Sequence, residues 1–147
     1  MKMTNKEYGE YVKKKTPNSK LIPNMIKAFI VGGIICCIGQ GITDGLMACG
    51  LEKENAMTAT SIILVFLGAI FTGAGIYDDI AKFAGAGTLV PITGFANSVV
   101  SPALEFKSEG FITGTAAKMF VIAGPVIVFG ITSSLVYGIA LVLFKLV

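Results

Sequence analysis

Four stretches of this 147-residue chain carry no Asp, Glu, Lys or Arg: Ala28 to Thr43, Asn55 to Tyr77, Phe83 to Leu104, and Met119 to Phe144. Three of them have apolar cores about as long as the ~20 residues a helix needs to cross a bilayer, once Asp44 is allowed inside the first. Hydrophobic residues make up 54% of the chain and charged residues 14%, against about 45–50% and about 25% in soluble domains. A soluble fold of this size has too much surface for its volume to bury so much apolar side chain. Lipid removes that difficulty. The expected class is an all-α integral membrane protein with three regular transmembrane helices and one broken, Gly/Pro-interrupted segment embedded in the membrane.

Residues 1–24 read as a basic N-terminal segment and 25–147 as the membrane domain. Up to residue 27 the chain holds seven lysines and two glutamates, hence +5, while the remainder sums to −2. Thr4 and Glu7 fit a capping box, and Tyr8, Tyr11 and Val12 share a face of the helix that would follow, with Lys13, Lys14 and Lys15 at its end. Two readings stand: a short helix on the bilayer surface, its lysines facing anionic headgroups, or a solvated tail. Pro17 and Pro23 separate it from the first span. The lysine excess places the N-terminus in the cytoplasm. A secretory signal is not expected, because the polar lead precedes the first apolar run.

The spans are expected at about 25–48, 57–77 and 119–145. The 26 uncharged residues of the last stretch would measure ~39 Å as a straight helix, more than the ~30 Å hydrocarbon core. Tilt, or a kink at Pro125, is expected. The broken segment occupies about 80–110, where Gly85, Gly87, Pro91, Gly94 and Pro102 interrupt an uncharged run. Both prolines delete helical hydrogen bonds, and irregular backbone in a membrane must sit inside protein or line water. This reads as two short half-helices joined by a glycine-rich turn, either crossing or dipping and returning.

Polar groups inside spans are costly, so they are the first candidates for function. Gln40 and Asp44, four apart on one helix face in line with Cys36, read as facing a pore or a subunit interface; anchoring at the membrane edge is the alternative. The broken segment adds Gly85, Gly87, Thr88, Thr93, Asn97, Ser98 and Ser101, then Glu105, Lys107 and Glu109. Half-helices aim N–H groups and positive dipole ends at anions, and freed carbonyls can hold cations. These residues are the solute-path candidates, with a plain packing element as the alternative. Gly41 and Gly45, then Gly130, Ser134 and Gly138, carry the small-residue spacing that brings membrane helices close.

No catalytic set emerges. The chain has no histidine, so a Cys–His nucleophile or histidine-bearing metal site is excluded. Cys36, Cys37 and Cys49 read as small packing residues. Gly85-Ala86-Gly87 follows no strand and lacks the spacing of a dinucleotide motif. No cofactor, metal or nucleic-acid partner is expected.

Three runs carry a family resemblance: KAFIVGGIICCIGQG at Lys27–Gly41, GIYDDIAKFAGAG at Gly75–Gly87, and VPITGFANSVVSPALEFKSEG at Val90–Gly110. Together they closely resemble the stage V sporulation membrane proteins of the AC and AEb family, over nearly all of the membrane part. The basic N-terminal extension fits the AC branch better than the shorter AEb paralogue. The resemblance implies a multi-pass protein of the forespore inner membrane, with its N-terminus on the spore-core side. It also implies a channel or transporter subunit moving dipicolinic acid as its calcium chelate, in sporulation and germination, with a response to membrane tension. Other membrane proteins of the same operon, AEb above all, would be its partners. Because three or four helices cannot enclose a path for a rigid aromatic dianion, a homo- or hetero-oligomer is expected. A non-conducting assembly subunit is the alternative, and an intramembrane enzyme is disfavoured.

Overall fold

The computed structural model describes residues 4–16 and 19–144. Pro17 and the expected end of the last span near Lys145 lie outside the described residues. Every regular element among them is helical.

Helix α1 (Asn5–Lys15) starts at a capping box: the Glu7 N–H donates to the Thr4 hydroxyl at 3.4 Å, and the Thr4 N–H donates to the Glu7 carboxylate at 2.9 Å. Those bonds from Thr4 hold the Glu7 carboxyl below its ordinary range. The helix buries none of its own residues, so tertiary packing contributes nothing to it.

Helices α2 (Leu21–Ala48) and α3 (Lys53–Gly73) form an antiparallel pair. Pro23 lies in the first turn of α2, where the missing N–H would have had no helical partner. The pair is close because small residues face each other. Leu64 fits against Gly39, and the Thr43 and Thr60 hydroxyls bond at 2.8 Å. On α3 the buried residues Ala56, Thr60, Gly68 and Thr72 recur at multiples of four, the spacing that lines one face and lets backbones approach.

The chain after α3 departs from a two-piece segment. It forms three helical pieces: α4 (Ile76–Ala84), the single turn α5 (Ala86–Leu89), and α6 (Ile92–Glu105). Gly75 turns the chain out of α3 with φ 74°, so the regular helix ends before Tyr77. At Gly85 φ is +54° and ψ −121°, a combination that a side chain would make costly. Pro91 is the N-cap of α6 and so needs no N–H of its own.

Residue pairing fixes where this segment goes. Gly68 of α3 abuts Thr93 and Ala96 of α6, and Thr72 meets Asn97 one turn later. Therefore α6 runs parallel to α3. Continuing the α2–α3 register from Thr43–Thr60 and Gly39–Leu64 by one turn sets Gly68 level with Ile35, the middle of α2. Meanwhile Gly87 of α5 lies on Ala28 and Gly32, nearer the start of α2. The segment thus enters beside the N-terminal end of α2, reaches the middle of the helix pair at Val90–Pro91, and leaves through α6 on the same side. It is a re-entrant hairpin.

A 3-10 turn (Lys107–Glu109) and a π-helical turn (Phe111–Ala116) lead into α7 (Ala117–Leu143). Helical backbone therefore begins at Phe111, well before Lys118. The run Phe111–Leu143 is 33 residues, ~50 Å at 1.5 Å per residue. It turns back along α6, burying Ala123 and Gly114. Beyond Pro125 nearly every residue is exposed. Three helices long and apolar enough to cross a bilayer, with the hairpin returning between the second and third, put Leu21 and Leu143 at opposite ends of the bundle.

Candidate functional site

Two features gather the polar residues of the membrane domain. The first is the hairpin. At its tip the phenol of Tyr77, only 4% exposed, donates to the Thr88 carbonyl at 2.8 Å and lies 3.0 Å from the Thr93 hydroxyl. One side chain of α4 thereby ties both arms of the hairpin together. Thr88 is completely buried, its hydroxyl bonded to the Gly85 carbonyl at 3.0 Å. One turn along α6, the Thr72 hydroxyl sits 2.7 Å from the Gly68 carbonyl and 3.0 Å from Asn97 Oδ1. Ser98 bonds back to the Phe95 carbonyl at 2.7 Å.

The hairpin is also held at its entry and exit. Lys27 of α2 lies 4.6 Å from the centre of the Phe83 ring, and Lys118 of α7 lies 4.1 Å from that of Phe106. Such cation–π contacts contribute about 0.5–1 kcal/mol each where water reaches them. Glu105, Lys107 and Glu109 are exposed at the exit, with Ser101 half-buried on α6 above them.

Not every candidate faces open space. Gly87 is buried against the α2 backbone, and Gly94 against the Thr88 and Leu89 carbonyls. Thr88 and Thr93 are buried too, whereas Leu89 and Val90 at the turn are 64% and 85% exposed. The α6 N-terminus, with its positive dipole end, therefore lies at the middle of the helix pair behind an apolar tip.

The second feature is the outer face of α2. The Gln40 amide donates to Asp44 Oδ1 at 2.7 Å, and both side chains are exposed. At 100° per residue Gly33, Cys36, Cys37, Gln40, Gly41 and Asp44 share this side. A Cβ built on Gly33, Gly41 or Gly45 would meet nothing within 4 Å. Gly130 and Gly138 of α7 are equally open, and Ser134 between them is exposed. None of the five small residues singled out for close packing is used inside the protomer. Gly39, Thr43, Ala56, Thr60, Gly68 and Thr72 do that work instead. Their signal was the multiple-of-four spacing on α3.

Tyr77 is the residue that sequence reasoning passed over, and nothing in its spacing marks it. Replacing it by Phe removes the phenol that links Thr88 to Thr93 and leaves both without that partner. Tyr77→Phe is expected to cost about 1 kcal/mol, read as a lowered thermal midpoint in detergent micelles. An unchanged midpoint would mean that the hairpin does not need this link.

Among the described residues, no three Asp, Glu, His or Cys side chains come together as a metal site. The three cysteines are free and exposed. Among the described residues of the membrane domain, the arrangement holds no hydroxyl or thiol hydrogen-bonded to a carboxylate. It offers a helix end, hydroxyls and carbonyls at half depth, and a hydrogen-bonded polar pair turned outward.

No solved structure matches the chain. It is 46% identical over 139 residues to stage V sporulation protein AC of Bacillus subtilis (strain 168), covering 92% of this chain and 93% of that protein. Residues 24–140, from the start of α2 through most of α7, match the profile of the SpoVAC/SpoVAEB sporulation membrane proteins. With three helices long and apolar enough to cross a bilayer and the family match covering the hairpin, this chain belongs to the SpoVAC/SpoVAEB sporulation membrane protein family.

Proposed function

We propose that this protein is one subunit of a channel that moves dipicolinic acid, as its calcium chelate, across the inner membrane of the developing spore and opens when membrane tension rises. The observation that carries this reading is the re-entrant hairpin. It brings the N-terminus of α6 to the middle of the helix pair, the geometry in which half-helices face anionic solutes in other transport proteins. Threonine hydroxyls and the Thr88 carbonyl lie at the same depth, and the exposed Leu89–Val90 tip supplies the apolar constriction that stays dry at rest. The path forms between copies, or between this chain and the AEb paralogue, each contributing one hairpin. The outward Gln40–Asp44 pair faces a neighbour. Lys20, Lys27, Lys82, Lys107 and Lys118 lie toward the N-terminal end of α2, and among the described residues of the membrane domain only Lys53 lies at the other end, which favours the lysine-rich end in the cytoplasm, the spore-core side.

The satisfied hydrogen bonds inside the hairpin favour a second reading, an assembly subunit that holds other sporulation membrane proteins and conducts nothing. Liposomes separate the two. Full-length protein is reconstituted, alone and with the AEb paralogue, into vesicles loaded with calcium dipicolinate, and release is followed by ultraviolet absorbance during osmotic downshift. A channel releases solute only once the vesicle swells. Intact assembly without release at any tension leaves the assembly subunit standing and ends the channel reading.

A further inference from the structure

A cavity of about 230 Å³ lies between α2, α3 and the hairpin. Its walls include Ile35, Leu64, Leu67 and Phe71, and its floor is formed by Tyr77 and Thr93. No polar atom reaches its surface, because the Tyr77 and Thr93 hydroxyls are turned into their own hydrogen bonds. Apolar cavities of ~150 Å³ stay dry and take up apolar guests, and this one is larger. Ile34 and Ile38, 53% and 50% exposed, stand at its rim, which Phe71 and Ile80 continue at 42% and 39%. The mouth thus opens sideways from the middle of α2, onto the apolar belt.

We infer that this cavity binds one acyl chain of a membrane phospholipid, which enters between Ile34 and Ile38 and packs against Leu67 and the Tyr77 ring. The occupant follows from depth and chemistry. The mouth lies level with the middle of the spans, where hydrocarbon tails are what the bilayer supplies. Transfer from tails to protein gains no hydrophobic energy, since tails are as apolar as leucine. What draws the chain in is the dispersion contact that an empty cavity forfeits on every wall. Seated there, the chain touches α2, α3 and the residue that ties the two arms of the hairpin. The bilayer then acts on the hairpin through a chain it can withdraw. That last consequence rests on the channel reading; the binding does not.

The test uses the full-length protein in vesicles of phosphatidylcholine carrying a photoreactive diazirine midway along one acyl chain, with adducts mapped by mass spectrometry. Adducts are expected on Tyr77 and Leu67 as well as on lipid-facing residues such as Phe66. Tyr77 is too buried to be labelled from the annular lipid. Leu67→Trp fills the cavity from within and is expected to lower the Tyr77 adduct at least ~10-fold while Phe66 labelling persists. Adducts confined to exposed residues in the wild-type protein overturn the assignment, as does a Tyr77 adduct undiminished in the folded Leu67→Trp variant. Labelling does not depend on solute release, so a protein that never conducts leaves this result standing on its own.

Discussion

Gly87→Ala is expected to detach the hairpin from α2. A methyl group at this position would lie 2.8 Å from the Cα of Ala28 and closer still to its carbonyl oxygen. Both are backbone atoms of a 28-residue helix, so no side-chain rotation relieves the overlap. Overpacking typically costs about 1–3 kcal/mol, and a rigid partner places this case at the upper end. Gly41→Ala makes the control. It also lies in α2, its Cβ would meet nothing within 4 Å, and alanine exceeds glycine in helix propensity by roughly 1 kcal/mol. In detergent, Gly87→Ala should unfold at a clearly lower midpoint and expose the 85–105 region to protease, while Gly41→Ala holds or gains stability. A wild-type midpoint and protease pattern for Gly87→Ala would mean that α5 does not rest on Ala28. The hairpin would then have to be redrawn.

The lipid-facing architecture was legible because it depends on composition over long windows. Uncharged runs of twenty residues have few folds available, and α2, α3 and α7 occupy them. The broken segment was legible for the same kind of reason: Pro91 and Pro102 remove N–H groups, and the glycines permit turns that other residues resist. Its course was not. Whether it crosses or returns depends on which residue of α6 meets Gly68 and which meets Thr72, and those pairings leave no mark in local periodicity. The small-residue signal named faces for close approach without naming a partner. Gly41, Gly45, Gly130, Ser134 and Gly138 have the spacing of a helix interface, yet inside the protomer they touch no other helix. The contacts between α2 and α3 use Gly39, Thr43 and Thr60, where the two threonine hydroxyls lie within hydrogen-bond reach of each other and of the carbonyls four residues back, so that the pair is satisfied between the helices and packs as small residues. Spacing identifies a face suited to close approach but not what approaches it. Tyr77 escaped for another reason. Its role exists only because α4 folds beneath the hairpin, a tertiary fact invisible within a helix-length window.

Replacing both Gln40 and Asp44 by leucine tests the outward face of α2, and the expected result is loss of assembly with the protomer intact. The pair contributes nothing to packing within the protomer: both side chains are exposed and their one hydrogen bond joins them to each other. Asp44 is a full turn inside the end of α2 at Ala48, so leaving it toward lipid is costly. A neighbouring subunit relieves that cost, and Gly33 and Gly41 beside it leave room for close approach. Polar contacts between membrane helices contribute about 1–2 kcal/mol, a factor of roughly 5–30 in each association step, and the effect multiplies around a ring. Wild-type protein under mild oxidation should therefore crosslink through Cys36 or Cys37, both exposed on this face, and replacing both by serine should abolish the product. The double leucine variant should keep the wild-type helicity yet lose the crosslink and any tension-evoked release. Asp44→Asn, which can still bond to Gln40, should retain most of both. If the pair merely anchors α2 at the membrane edge, the leucine variant will crosslink like the wild type, and the subunit contact must be sought on α7 instead.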